Sequence, residues 1–145
     1  MKLKLIMVGL MVVLALALFA CSSPVSTGVY VEVPIDDFMN QKHVSGQVEV
    51  AAGESFTVTL GSNPTTGFQW AEEAQSSDTG VLKQVDHEFI GPKSEPLPPP
   101  GTPCQEVWTF EALEKGTTTM SLEYSRPWEG GEKGEWTFQL TVNVK

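Results

Sequence analysis

Cysteine and histidine are both scarce in this chain of 145 residues, which contains two of each. Cys21 and Cys104 could form at most one disulfide, and none if Cys21 is modified, so stability must come from packing rather than from cross-links. His43 and His87 belong to no His-Glu-x-x-His pattern, and there is no Cys-x-x-Cys pair. We therefore expect neither a metal centre nor a redox-active dithiol.

Motifs of common catalytic sites are also missing, since the chain has no Gly-x-Ser-x-Gly elbow and no glycine-rich phosphate loop. Asp86 and Glu88 flank His87, but strand alternation would send these acids to the face opposite the imidazole, so the three residues do not form a ligand set. Cys104 follows a proline-rich segment and has no recognisable base beside it. The sequence predicts a protein that is not an enzyme and has no cofactor or metal.

Basic residues are in the minority, with nine Lys and Arg against 18 Asp and Glu and a net charge of −9. Lys2 and Lys4 belong to the N-terminal leader described next, and without them seven basic residues remain and the net charge is −11. Such an excess of negative charge repels a phosphate backbone. We therefore expect no nucleic-acid partner.

The N-terminal leader has two lysines, an uncharged apolar run from Leu5 to Phe19, and the small residue Ala20 directly before Cys21. The run is shorter than the roughly 20 residues that a spanning helix needs, and this order of segments is typical of a signal peptide. Its end resembles the lipobox of bacterial lipoproteins, in which the cysteine carries a diacylglyceryl thioether. Residues 1–20 are therefore predicted to be a lipoprotein signal peptide and Cys21 the lipidation site, which predicts an exported protein anchored to the cell membrane or outer membrane. A plain signal peptide with an incidental cysteine, or an uncleaved anchor, is the alternative.

The rest of the chain alternates between apolar and polar residues with period two, which is typical of half-buried strands. The predicted strands cover residues 29–33, 47–50, 55–60, 68–70, 81–85, 106–112, 117–124 and 136–144. The pair 47–50 and 55–60 is interpreted as a hairpin, and residues 34–43 are ambiguous. Short strands bounded by Gly, Pro, Asn and Ser predict an all-β sandwich.

The alternation is clearest in the last predicted strand. One face carries Trp136, Phe138, Leu140, Val142 and Val144, and the other carries polar residues. One face is therefore expected in the core and the other in water. Residues 21–42 are interpreted as the lipidated N-terminus, a tether and a possible peripheral strand, and residues 43–145 as the main domain.

Three segments between predicted strands restrict their own backbone. In residues 62–68, Pro64 fixes its own φ and holds Asn63 extended, while Gly67 permits a positive φ, so this loop is expected to be pre-organised. Residues 96–105 are rich in proline, and residues 125–131 place Arg126 and Trp128 on either side of a proline. Arg and Trp are frequent interface anchors, although turn chemistry alone also explains each loop.

In this order, three motifs resemble those of chagasin and related inhibitors of papain-family cysteine peptidases. They are Asn63-Pro64-Thr65-Thr66-Gly67-Phe68, a glycine-containing middle loop followed by an aromatic strand, and Arg126-Pro127-Trp128. The resemblance covers residues 43–145 and implies an immunoglobulin-like β-sandwich with three loops clustered at one end as a wedge. It implies a monomeric inhibitor whose partner is a papain-like cysteine peptidase, bound reversibly and without a covalent bond. An immunoglobulin-like adhesion or scaffold module is the alternative.

The resemblance also implies a role for each loop. The first loop would lie over the catalytic cysteine, with Thr65 and Thr66 blocking the cleft and Phe68 turned inward as a buttress. Trp128 would anchor the third loop on the primed side, while Arg126 either holds the loop or meets an acid, and the middle loop would follow the unprimed side. The predicted peptidase-binding residues are Asn63, Pro64, Thr65, Thr66, Gly67, Phe68, Gly101, Thr102, Pro103, Cys104, Arg126, Pro127, Trp128 and Glu129.

Cys104 departs from the family pattern, because it stands where a second glycine is usual. If this position needs a positive φ, we expect a strained backbone and a shifted middle loop. A thiol close to the partner's catalytic cysteine could also form a mixed disulfide under oxidising conditions.

Overall fold

The computed structural model describes residues 28–92 and 99–145. In these residues two β-sheets pack face to face, and a short helix, α1 (Ile35–Asn40), follows the first strand. The strands are β1 (Tyr30–Val33), β2 (His43–Val50), β3 (Ser55–Ser62), β4 (Gln69–Trp70), β5 (Gln75–Ser76), β6 (Leu82–Ile90), β7 (Cys104–Ala112), β8 (Gly116–Ser125) and β9 (Trp136–Val144). The first sheet has the order β1-β3-β7-β6, and the second has the order β2-β9-β8-β4 with β5 also beside β8.

The core lies between the two sheets and is built from alternate residues of the central strands. Val58 lies opposite Trp108 in the β3–β7 register, and both are fully buried. The second sheet contributes Phe138, Leu140 and Val142 from β9, each 1% exposed or less. Burial of each such side chain stabilises the fold by roughly 1.5–3 kcal/mol. The predicted all-β sandwich is confirmed, as is the predicted division of β9 into a buried and a polar face.

The predicted hairpin between residues 47–50 and 55–60 is wrong. β2 pairs in parallel with β9, whereas β3 belongs to the other sheet and lies between β1 and β7. The intervening residues 51–54 cross between the sheets, and the Ala52 N–H donates to the Lys145 carbonyl oxygen (2.9 Å). Alternation indicated that both segments are strands, but it carries no information on which strand is the neighbour.

The segment that was ambiguous in sequence packs into the core. Phe38 of α1 is 2% exposed, and its ring centroid lies 4.9 Å from that of Trp70. The indole N–H of Trp136 donates to the Phe38 carbonyl oxygen (3.0 Å). A Cβ on Gly61 would lie 2.2 Å from the Ile35 nitrogen, so only glycine allows this close approach. The packed unit therefore begins before residue 43, and α1 supports the end of β3.

The direction of β1 fixes where the chain enters the sandwich. β1 is the edge strand of the first sheet, as expected of a peripheral strand, and runs parallel to β3 with Tyr30 opposite Thr57 and Val33 opposite Leu60. Tyr30 therefore lies near the end of the sandwich opposite the β3–β4 connection. Within the described residues no helix has the length and apolar character needed to cross a membrane, and the predicted leader and Cys21 fall outside them.

Candidate functional site

Three connections meet at one end of the sandwich: loop 1 (residues 63–68, between β3 and β4), loop 2 (residues 91–103, between β6 and β7) and loop 3 (residues 126–135, between β8 and β9). In loop 1, Pro64–Thr66 form a single 3-10 turn with proline at its start. Gly67 ends the turn with a φ of 80°, and its N–H donates to the Pro64 carbonyl oxygen (3.0 Å). Gly67 thus uses the positive φ that its lack of a side chain permits.

The two threonine hydroxyls of loop 1 are used within the protein. Thr65 Oγ1 donates to Asn63 Oδ1 (2.6 Å) and accepts the Gly101 N–H of loop 2 (3.2 Å). Thr66 Oγ1 donates to the Asn63 carbonyl oxygen (2.7 Å). Both residues are exposed at the tip. Loop 1 therefore presents backbone and methyl groups outward, while its hydroxyls hold its shape and join it to loop 2.

A cluster of aromatic residues forms the base of loop 1. Phe68 is 7% exposed, stacks on Tyr124 with 5.5 Å between ring centroids, and meets Trp136 edge-on at 5.0 Å. The Tyr124 hydroxyl accepts the Asn63 N–H (2.8 Å). Phe68 is therefore turned inward, as the resemblance implies, and supports the loop from below.

Arg126 connects loop 3 to loop 1. Its guanidinium carbon lies 4.5 Å from the Phe68 ring centroid and 5.8 Å from that of Trp128, a cation–π arrangement with both rings. Nε and Nη2 donate to the Thr66 carbonyl oxygen at 3.4 and 3.3 Å, and Nη1 donates to Glu132 at 2.8 Å. Of the two roles left open by the sequence, the geometry supports the one in which Arg126 holds the loops.

Trp128 lies against loop 1 and remains 52% exposed. A Cβ on Gly67 would lie 2.5 Å from Cη2 of the indole, so glycine at position 67 allows this contact as well as the positive φ. Pro127 and Glu129 are exposed on either side of Trp128. Loop 3 thus offers one large aromatic surface beside the tip of loop 1.

The second half of loop 3 contains residues that the sequence reasoning missed. Lys133 Nζ donates to the carbonyl oxygens of Arg126 and Trp128, the latter at 3.0 Å. Glu132 pairs with Arg126, and its own backbone N–H and the guanidinium lower the pKa of its carboxyl. In the sequence, Glu132 and Lys133 follow Trp128 within five residues. This short spacing between charged residues and an aromatic turn could have indicated that they support the loop.

Loop 2 reaches loop 1 through Gly101, which is exposed and has a φ of 88°. Thr102 Oγ1 donates to the Pro99 carbonyl oxygen (2.6 Å), and Pro103 is exposed. The strain expected at Cys104 is absent, because among the described residues every positive φ belongs to a glycine. Cys104 is instead the first residue of β7, opposite Ser62, where an extended backbone suits any side chain.

The position of Cys104 also bears on the mixed disulfide. Its side chain is buried, with 6% of the residue exposed, and Sγ lies 3.7 Å from the Thr102 carbonyl oxygen. Burial and then the charge of Glu106 raise the pKa of the thiol. A buried, protonated thiol is a poor nucleophile, so this geometry opposes a covalent adduct.

A buried carboxylate lies below loop 1, and it was missed in the sequence. Glu106 is 6% exposed, and its Oε2 lies 3.1 Å from Nε2 of His87, whose ring stacks on Trp108 at 4.8 Å. Burial raises the pKa of Glu106, and the hydrogen bond and charge of His87 oppose this shift. With Pro64, this pair lines a cavity of about 300 Å³. Glu106 lies two residues before Trp108 on β7, so both side chains are on the inner face of the sheet. This spacing could have predicted an inward carboxylate from the sequence.

The other histidine lies apart from this pair, since His43 Nδ1 is 2.8 Å from Thr137 Oγ1 on β9. Among residues 28–92 and 99–145, no three His, Cys, Asp or Glu side chains are grouped as metal ligands would be.

Comparison with known sequences gives one family. Residues 49–142 match the profile of the chagasin family peptidase inhibitor I42. Chagasin of Trypanosoma cruzi is 34% identical over 94 residues, which are 63% of this chain and 83% of chagasin. Amoebiasin-2 of Entamoeba histolytica is 30% identical over 107 residues, which are 74% of this chain and 84% of that protein.

Two solved structures share the fold of this chain. The cysteine protease inhibitor EhICP2 of Entamoeba histolytica has a TM-score of 0.56 at 22% identity and covers 80% of this chain and 95% of its own. PbICP-C, solved in complex with falcipain-2, has a TM-score of 0.61 at 16% identity, and the match covers 81% of this chain and 100% of PbICP-C. These likenesses confirm the predicted immunoglobulin-like sandwich.

Gly67→Ala tests the contact between loops 1 and 3. Gly53 is the matched control, because its φ of 86° is similar but a Cβ there would meet no atom within 4 Å. We expect Gly53→Ala to lower the free energy of unfolding by roughly 1–2 kcal/mol, the cost of a left-handed alanine. Gly67→Ala should cost more and should also shift the indole N–H resonance of Trp128 in NMR spectra. Equal costs and an unshifted Trp128 resonance would contradict the contact.

Glu106→Gln tests the buried carboxylate through pH. Because the folded-state pKa is raised above 4.5, proton binding favours the folded state, and this stabilisation is complete below pH 4.5 and lost as pH rises through the folded-state pKa. Urea unfolding at a series of pH values should therefore show the variant gaining stability relative to the wild type from pH 4.5 to neutral. Glu88→Gln, at an exposed position on β6, is the control and should run parallel to the wild type. A constant difference for Glu106→Gln would refute the assignment.

Proposed function

Because this chain belongs to the chagasin family I42 of peptidase inhibitors, we propose that its three loops enter the active-site cleft of a papain-like cysteine peptidase as one wedge. Its relatives are inhibitors of peptidases and not enzymes, which excludes a catalytic role and disfavours the adhesion or scaffold alternative.

The observation that carries the wedge is the direct contact between the loops. Loop 2 donates to loop 1 at Thr65, the Arg126 guanidinium donates to the Thr66 carbonyl, and Trp128 packs on Gly67. The described parts of the three loops thus contact one another before any partner binds. A surface that loses little conformational freedom on binding keeps more of its contact energy as affinity.

The target class is inferred from two relatives. EhICP2 is described as a cysteine protease inhibitor, and PbICP-C was solved bound to falcipain-2. For this chain we infer the same class of target, with loop 1 over the catalytic cysteine. The exposed backbone and methyl groups of Thr65 and Thr66 would fill the centre of the cleft without supplying a nucleophile. Inhibition would therefore be reversible and non-covalent, and the inhibitor monomeric.

The site residues divide into contacts and supports in this proposal. Exposure favours direct contact by Pro64, Thr65, Thr66, Gly101 and Pro103, and by Pro127, Trp128 and Glu129 of loop 3. Asn63, Gly67, Phe68, Thr102, Cys104 and Arg126 are buried or partly buried and would act by holding these tips in place.

A lipid anchor at Cys21 is the second part of the proposal. The basic start, the short apolar run and the cysteine after Ala20 support export and acylation. Since the chain enters the sandwich at Tyr30, near the end opposite loop 1, a tether of residues 22–29 would attach behind the wedge. Fully extended, eight residues reach roughly 25–30 Å, enough to lift the domain off a bilayer surface. The loops would then point away from the membrane.

The proposal is tested by equilibrium inhibition of papain with the chain lacking residues 1–21. We expect a nanomolar or tighter constant, with the inhibitor recovered uncleaved. A folded protein that inhibits neither papain nor several related peptidases would refute the function.

Thr66→Ala and Trp128→Ala test the tips in the same assay. Each should weaken binding by roughly 1–3 kcal/mol, as for anchor residues at interfaces, with little change in melting temperature. Leu113→Ala is the control, because Leu113 is 39% exposed and lies at the far end of the sandwich. Unchanged inhibition in both tip variants would refute the proposal that the tips of loops 1 and 3 bind in the peptidase cleft.

Cys21→Ser tests the anchor in cells that export the full chain. The wild type should label with an alkyne fatty acid, whereas the variant should not, since the thioether needs the sulfur. Ser22→Ala is the control and should behave as the wild type. Equal labelling of Cys21→Ser and wild type would show that Cys21 is not the acceptor.

A further inference from the structure

Loop 1 has a second exposed aromatic side chain beside it, on β6. Phe89 is 50% exposed, close to the 52% of Trp128. It lines the 300 Å³ cavity that Pro64 and Phe68 also line. Other large exposed apolar side chains of the described residues, such as Tyr30 and Leu113, do not line this cavity.

The exposure of Phe89 follows from the strands around it. Phe89 lies two residues after His87 on β6, so the two side chains are on the same face of the strand. Because the His87 ring stacks on the buried Trp108, this face is the inner side of the first sheet. β6 is the edge of that sheet, and the facing edge strand β4 has two residues, Gln69 and Trp70. The second sheet is therefore too short at this corner to cover Phe89.

Topology places Phe89 and Trp128 on opposite sides of loop 1. Loop 1 crosses from β3 in one sheet to β4 in the other, while loop 3 joins β8 to β9 in the second sheet. β6 belongs to the first sheet and leads directly into loop 2. Trp128 thus borders loop 1 on the side of loop 3, and Phe89 borders it on the side of loop 2.

We propose that Phe89 is a fourth contact of the wedge, which packs against an apolar part of the peptidase's cleft wall on the side of loop 2. This contact rests on the proposed function. The exposed Glu72 lines the same cavity as the ring. Its carboxylate fits a wall that carries Lys or Arg beside its apolar part, because opposite charges complement each other across an interface.

The test measures papain binding by the chain lacking residues 1–21, which retains every described residue. Phe89→Ala should weaken binding on the order of ten-fold, mainly through faster dissociation, as for an apolar anchor. Val85→Ala is the matched control: Val85 is 47% exposed on the same strand but lies farther from the loops. It should leave binding unchanged, and both variants should keep the wild-type melting temperature to within a few degrees.

A double variant separates direct contact from support of loop 1. Phe89 and Trp128 lie on opposite sides, so two independent contacts predict that the fold-changes of Phe89→Ala and Trp128→Ala multiply. If Phe89 only held loop 1 in shape, its removal would also disturb the Gly67–Trp128 contact, and the double variant would fall short of the product. Phe89→Leu, which keeps an apolar side chain, should retain most of the affinity.

The outcomes distinguish this contact from the function on which it rests. If the unchanged chain inhibits papain but Phe89→Ala binds as tightly, or if the double variant is clearly non-multiplicative, the fourth contact is wrong and the three-loop wedge stands. If the unchanged chain inhibits neither papain nor related peptidases, both proposals fall together.

Discussion

The packing of the Arg126 guanidinium between Phe68 and Trp128 is the interaction on which the loop end depends. One side chain contacts the buried base of loop 1, the exposed ring of loop 3 and the carbonyl oxygen of Thr66 at the tip. A lysine could not reproduce this arrangement, because a planar guanidinium stacks on rings and donates from its edge at the same time. The glycine at position 67 is a consequence, since any Cβ there would push the indole away.

Several features at the loop end of the sandwich lower the stability of the fold. Burying Glu106 costs free energy that a pair with His87 only partly offsets, and Trp128 and Phe89 leave apolar surface in water. The aromatic base supplies compensation: Phe68, Tyr124, Trp136 and Trp70 form a continuous set of ring contacts, with Phe38 of α1 completing it. A rigid tip is thereby held by core packing rather than by cross-links, in keeping with the single cysteine of the described residues.

The sequence predicted what depends on local chemistry. Alternation identified most of the strands and the buried face of β9, and Pro64 and Gly67 indicated a pre-organised loop that permits a positive φ. The sequence prediction was wrong about strand pairing, because pairing depends on contacts between residues that are distant in sequence. β2 and β3 are adjacent in sequence but belong to different sheets. Cys104 shows a further limit: a family position that usually holds glycine suggested strain, yet strand pairing gives the residue an ordinary extended backbone.

The charge of the chain bears on the orientation that the proposed lipid anchor would give the domain. With the proposed leader removed the chain carries a net charge of −11, and anionic lipids repel such a domain within a Debye length of about 8 Å at physiological salt. A tether entering near Tyr30 would hold the end opposite loop 1 nearest the bilayer, and repulsion would keep the rest of the domain away from the lipid surface. With the proposed anchor the three loops would therefore face away from the bilayer, which is the orientation that capture of a peptidase from the surroundings would require.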